Sequence, residues 1–278
     1  MLKSNETSQV DPSQFMVYSP VQTYNSSMII NQNPQEPAPQ KKYKSIFARF
    51  FIIQDGVISV SLRDQTIILS ALISISLIVM GYFSCHNNDF ECDLHDFPMV
   101  STVIALPMYD RTFIILTTIM MFGVQQVNIR AFYKKLYGII PDKQNDNMFN
   151  LGVVSCFALP LIGVFDEHKW GTIHGICAIA FFGCFGVYCV MLGNYLSANK
   201  DKFNPAESHS IDKMKQGSRV IVVLLAALLL SFIFYHSKVP TPLIEWAVVL
   251  YYSNFFAIAS YANGFYDSVH QDGTLIKP

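Results

Sequence analysis

The sequence predicts an all-α protein: a polytopic six-transmembrane-helix bundle preceded by an amphipathic interfacial segment and a polar N-terminal tail. Three observations carry this reading. Of the 278 residues, 51% are hydrophobic and only 14% charged, against about a quarter charged in an ordinary soluble domain. Between residues 65 and 265 the chain is dominated by apolar runs of the length that crosses a bilayer. Sixteen of the nineteen Lys and Arg residues fall in segments that such a topology puts on one side, which is the positive-inside pattern.

Residues 1–40 are rich in Gln, Asn, Ser and Pro, with QNPQEPAPQ as the clearest stretch. Too few apolar groups are present to offset the cost of ordering, so the tail is expected to be disordered unless a protein partner binds it. The clusters QFMVY at 14–18 and SMII at 27–30 are the expected anchors for such a partner. The tail holds no apolar core of a secretory signal peptide. In residues 41–64, Ile46, Phe47, Phe50, Phe51, Val57 and Ile58 follow helical spacing beside Lys44 and Arg49. That pattern predicts either a helix lying in the membrane interface or a short cap packed under the bundle.

The six spans then occupy 65–265. The first covers about 66–83 and has Ser70, Ala71 and Ser74 for close packing. The second, within PMYDRTFIILTTIMMFGVQQVNIRAFYKKLYG at 107–138, carries Gln125, Gln126 and Asn128 before a basic exit. Gln125 and Asn128 share a face and can bond across helices. The third, 148–165, contains Pro160, which predicts a kink. The fourth, 171–196, has small residues at 171, 175, 178, 183 and 186, which predicts a tightly packed central helix. The fifth, 219–235, is aliphatic and reads as lipid-facing; the sixth, 244–264, mixes Tyr and Phe with Ser253 and Asn254. A tail, 266–278, follows.

The charge split puts both termini on the cytoplasmic or matrix side, so the sequons at Asn5 and Asn25 are expected to stay unmodified. The opposite side gathers the acids and histidines, among them Asp110, Asp166, Glu167, His168 and Glu245. A net charge of -1 without runs of like charge excludes a nucleic-acid partner.

Three opposite-side motifs carry a family likeness: FPMVSTVIALPMYDRTF, DEHKWGTIHG and PLIEWAVVL. In this order across six spans they resemble the Frag/DRAM/Sfk family, which includes damage-regulated autophagy modulators and a Golgi factor of GPI-anchor lipid remodelling. The resemblance covers about residues 60–265 and carries over Pro98, Ser101, Arg111, His174, Glu245 and Trp246. It implies a membrane protein that handles or senses lipid in an endomembrane. The family often holds a His in the sixth span, where this chain has Ser253 and Asn254, which weakens any shared catalytic role. The alternative is a non-catalytic accessory or scaffold subunit of a large membrane complex, with the mitochondrial inner membrane as its location.

Cys85 and Cys92 flank the first opposite-side loop and are candidates for a disulfide in an oxidising compartment. With His86 and His95 they also offer four zinc-type ligands, at a spacing that fits no common zinc module. The catalytic candidates are His174, Glu245, Asp110, Arg111 and Ser101. A His beside a carboxylate can serve as general base in acyl transfer, with Ser101 as the hydroxyl. The structural alternative is a fixed network in which Arg111 pairs with Glu245 or Asp110 and His174 caps a carbonyl. No cofactor is called for: the chain has no P-loop, HExxH, CxxCH or nucleophile elbow.

Overall fold

The structure is a computed structural model and describes residues 51–54, 57–60, 62–93, 96–236 and 238–260. The tail of 1–40 with its expected anchors, and the tail of 266–278, lie outside the described residues.

The interfacial helix expected over 41–64 is corrected where that segment is described. Strands β1 (Phe51–Gln54) and β2 (Val57–Val60) pair antiparallel, Phe51 opposite Val60 and Gln54 opposite Val57. Ile52, Ile53, Val57, Ile58 and Val60 are β-branched and favour extended backbone. Asp55-Gly56 is a dipeptide preferred in two-residue hairpins. Over the eight described residues of this segment, extended pairing replaces the expected helix.

The described elements after this hairpin are helices. Helix α1 spans Leu62–His86 and α2 is the short Val100–Ile104. Helix α3 runs Tyr109–Leu136, with a π-turn at Met121–Gln125, and α4 runs Asp142–Val164. Helix α5 is Glu167–Ala198, α6 is Ser208–Tyr235 and α7 is Thr241–Ser260. Five of these, α1, α3, α4, α5 and α6, are long and apolar enough to cross a membrane. Several begin earlier than the apolar runs: α4 starts with DKQNDN and α6 with SHSIDKMKQGS. A helix can project past the apolar slab because polar side chains there remain solvated, so hydropathy alone underestimates its length. Helix α4 runs unbroken through Pro160.

Asn128 on α3 donates to Thr66 Oγ1 on α1 at 3.0 Å, and Asn254 on α7 donates to Ser74 Oγ on α1 at 2.7 Å. These are interhelical bonds of the kind expected from polar residues inside a membrane bundle. Gln125, in the π-turn, is buried and its Oε1 has no hydrogen-bond partner. An aromatic stack links Phe181, Phe185 and Tyr188 of α5 with Tyr252, Phe255 and Phe256 of α7. Outward faces keep exposed Ile75 and Ile78 on α1, Ile176 on α5 and Val223, Ile233 and Phe234 on α6. An apolar girdle of that extent, around polar groups paired inside, is what an integral membrane protein presents to lipid. At the end of the bundle away from α2, Lys135 Nζ lies 2.6 Å from buried Glu207 and 5.7 Å from the Phe203 ring centroid.

Candidate functional site

The end of the bundle that carries α2 is built by the sequence motifs meeting one another. Glu245 sits in the first turns of α7 and is 7% exposed. Its Oε2 accepts the Val100 N–H at 2.9 Å, and Ser101 adds its N–H and hydroxyl. A carboxylate from a distant helix thus satisfies the free N–H groups that open α2. The next residue, Trp246, donates Nε1–H to the Pro98 carbonyl at 3.0 Å and meets the Phe97 ring edge-on at 6.4 Å. Gly81 on α1 makes room for this indole: a Cβ there would fall 2.9 Å from Trp246 Cη2. Glu245-Trp246 therefore fixes the loop 97–101 onto the bundle, two short motifs far apart in sequence acting as one joint.

His174 lies on α5, 6% exposed, with Nδ1 2.9 Å from the Phe165 carbonyl. A carbonyl only accepts, so Nδ1 carries a proton, and in the neutral ring Nε2 presents a lone pair. No hydrogen-bond partner meets that nitrogen among the described residues. Upstream, Asp166 caps α5 by accepting the Lys169 N–H at 2.8 Å. That bond, reinforced by the Lys169 charge at 3.6 Å, holds the Asp166 carboxyl below the usual carboxylate range. Trp170 leaves helical geometry (φ -128°, ψ 37°), so the turn Glu167–Lys169 is offset from the body of α5. Glu167 Oε2 is buried without a partner.

Glu167, His174, Ser101 and Glu245 meet at the polar end of a cavity of about 650 Å³ between α5 and α6. The sequence candidates divide here. Ser101, His174 and Glu245 are brought together. Asp110 and Arg111 are not: Arg111 is exposed at the start of α3, with its backbone N–H on Asp110 Oδ1, and forms no ion pair among the described residues. The proposed Arg111–Glu245 pair is replaced by the α2 backbone as partner of Glu245. His174 does cap a carbonyl. No hydrogen bond joins Ser101 to His174 among the described residues, so the pair that activates a nucleophile is not formed there. Cys85 and Cys92 form a disulfide with Cα atoms 5.4 Å apart, which removes both sulfurs from the zinc-type set; His95 lies outside the described residues.

The cavity exists because α5 and α6 splay. Along their far halves they touch: a Cβ on Gly193 would meet Ser218 Oγ at 2.6 Å and the Met214 carbonyl at 3.1 Å, and one on Gly186 would meet Leu225 at 2.6 Å. Toward α2, Gly171, Gly175 and Gly183 have nothing within 4 Å of such a Cβ. The expectation of uniformly tight packing along the small stripe is corrected. Its far part packs, and its near part, Gly171, Gly175, Ala178 and Gly183, lines the cavity opposite Leu225, Leu228, Leu229 and Phe232. Ile179 and Leu229 among the lining residues are 75% and 63% exposed, so the cavity opens sideways on the apolar girdle. Sequence reasoning missed Glu167 and the aliphatic wall of α6. The first had a signal, the acid inside DEHKWG; the second reads identically to a lipid-facing helix.

No curated protein and no solved structure matches this chain. A family model described as the Frag1/DRAM/Sfk1/Cwh43P N-terminal domain matches residues 65–267. The match covers the helical bundle and all three motifs that build this site, and the chain belongs to the Frag1/DRAM/Sfk1/Cwh43P family.

Proposed function

We propose that this protein binds a membrane lipid between α5 and α6 and handles or senses it without covalent chemistry. The observation that carries the reading is the cavity itself. Its volume, about 650 Å³, falls within the roughly 300–1,000 Å³ of sites that enclose small molecules. It is apolar along its length, polar at one end and open toward the girdle, which is the shape of an amphiphile entering from the bilayer. The commitment of His174 Nδ1 to Phe165, with no bond between His174 and Ser101 among the described residues, favours binding over acyl transfer.

The accompanying topology is six spans with both termini on the cytoplasmic or matrix side. Twenty residues of α7 reach about 30 Å at 1.5 Å per residue, enough to span, and the basic residues supply the orientation. The cavity's polar end then lies at the lumenal or intermembrane-space side, where Cys85 and Cys92 can stay oxidised.

The test is lipid that co-purifies. The wild-type chain, extracted in mild detergent, is expected to carry a stoichiometric lipid seen by mass spectrometry of the intact protein. Gly175→Leu, which fills the cavity from a site with open space around it, is expected to fold normally and to lose that lipid. Equal lipid content in the two proteins would overturn the reading.

A further inference from the structure

The polar end of the cavity has a sign. Of its charged side chains, Glu167 and Glu245 are both acids, and no Lys or Arg lines it. Lys169, the nearest cation in sequence, is turned to Asp166. Glu167 Oε2 is buried and unpartnered, and His174 Nε2, on a side chain more than nine-tenths buried, offers a lone pair in the neutral ring. In that state these two groups are both acceptors. A buried acceptor left unpaired is costly, and two carboxylates with no counter-charge repel. Both deficits are met by a single group that brings several N–H donors and a positive charge. A phosphate or carboxylate headgroup would worsen both.

We infer that the ligand of this cavity is a single-chain lipid with a primary ammonium head, the chain lying along Gly175, Gly183 and the α6 wall and the ammonium donating to Glu167 Oε2 and His174 Nε2 near Glu245. The inference rests on the lipid-binding reading and adds the headgroup class. It supplies a donor to two acceptors whose side chains belong to residues lining one cavity.

The test is titration of the purified full chain, followed by native mass spectrometry, with four probes sharing an eighteen-carbon chain (~30 Å or less of reach, within one leaflet or a little more): octadecylamine, octadecanol, stearate and octadecyl phosphate. Octadecylamine is expected to bind at least about tenfold more tightly than the other three. Glu167→Gln is expected to lower octadecylamine affinity about tenfold. Octadecyltrimethylammonium, a cation without N–H donors, is expected to bind the wild-type chain about tenfold more weakly than octadecylamine, a readout that needs no variant to fold. Stearate or octadecyl phosphate binding as tightly as octadecylamine would overturn the headgroup inference, as would a trimethylammonium probe of equal affinity or an unchanged Glu167→Gln variant. If Gly175→Leu still abolishes binding in those cases, the cavity reading stands without the headgroup. If Gly175→Leu changes binding of none of the probes, the cavity reading falls and this inference with it.

Discussion

Adding one methyl group to α5 should have opposite effects at two glycines only eighteen positions apart. At Gly193 a Cβ falls 2.6 Å from Ser218 Oγ and 3.1 Å from the Met214 backbone oxygen. The serine rotor can turn, but the carbonyl belongs to the α6 ladder and cannot, so the helices must separate. Overpacking of this kind costs about 1–3 kcal/mol. Replacing Gly by Ala within a helix returns about 0.5–1 kcal/mol, leaving Gly193→Ala destabilised by about 1–2 kcal/mol. At Gly175 nothing lies within 4 Å, so Gly175→Ala keeps the helix term alone and is stabilised by about 0.5–1 kcal/mol. For a chain of this size each kcal/mol moves Tm by about 2–4 °C. Melting of the detergent-solubilised proteins, followed by the loss of the monodisperse chromatographic peak, should shift down for Gly193→Ala and up for Gly175→Ala. Shifts of the same sign and size would refute the splayed geometry and the cavity that depends on it.

Four further outcomes are expected. Trp246→Phe removes the benzo edge that packs on Gly81 and orphans the Pro98 carbonyl; Tm should fall by the equivalent of at least about 1 kcal/mol, with faster proteolysis at 96–99. Cys85→Ser opens a loop closed across a sequence separation of 7, worth about 2.5 kcal/mol by chain entropy; wild-type protein treated with a reductant should match the variant's melting curve. The Asp166 carboxyl is held low in the folded chain by the Lys169 N–H, so its contribution is present above the unfolded value near pH 4 and is lost as pH falls through the folded one. Wild type should therefore exceed Asp166→Asn in Tm at neutral pH and converge with it in acid. Deleting residues 1–40 should leave the bundle folded and its lipid bound, while lowering co-migration with any protein partner on native electrophoresis.

The fold class was legible because a bilayer imposes it: apolar runs must become helices when no water is present to receive their backbone groups. Asn128 was legible as an interhelical donor for the same reason, whereas Asn254, which also donates across helices, was read only as a polar interruption of the sixth span. The motifs could be read but not joined, since nothing local in FPMVS says that its carbonyl and N–H groups meet Trp246 and Glu245. The small stripe of α5 misled because absence of a side chain has two uses. Gly193 yields its space to a neighbouring helix and Gly175 to a cavity, and both positions look the same along the chain. Arg111 misled because sequence gives depth along a span but not which way the span is turned.

The division of labour at the polar end follows from what each group has already given away. Glu245 is fastened by Val100 and Ser101, and its removal would free the opening N–H groups of α2 as well as a charge. His174 spends one nitrogen on Phe165, so its ring cannot swing toward Ser101 without abandoning a buried carbonyl. Among the described residues no hydrogen bond joins Ser101 to His174, whose ring is held by its far nitrogen. What is left over is Nε2 of His174 and a carboxylate oxygen on Glu167, both without a partner among the described residues. Rigid, unsatisfied acceptors beside an apolar slot are suited to recognising a headgroup, because their desolvation is already complete before the ligand arrives. The family membership shared by residues 65–267 thus sits on a framework in which the conspicuous motif residues hold the architecture. In the proposed lipid site, selectivity would fall to Glu167, an acid inside DEHKWG to which the motif reading gave no role.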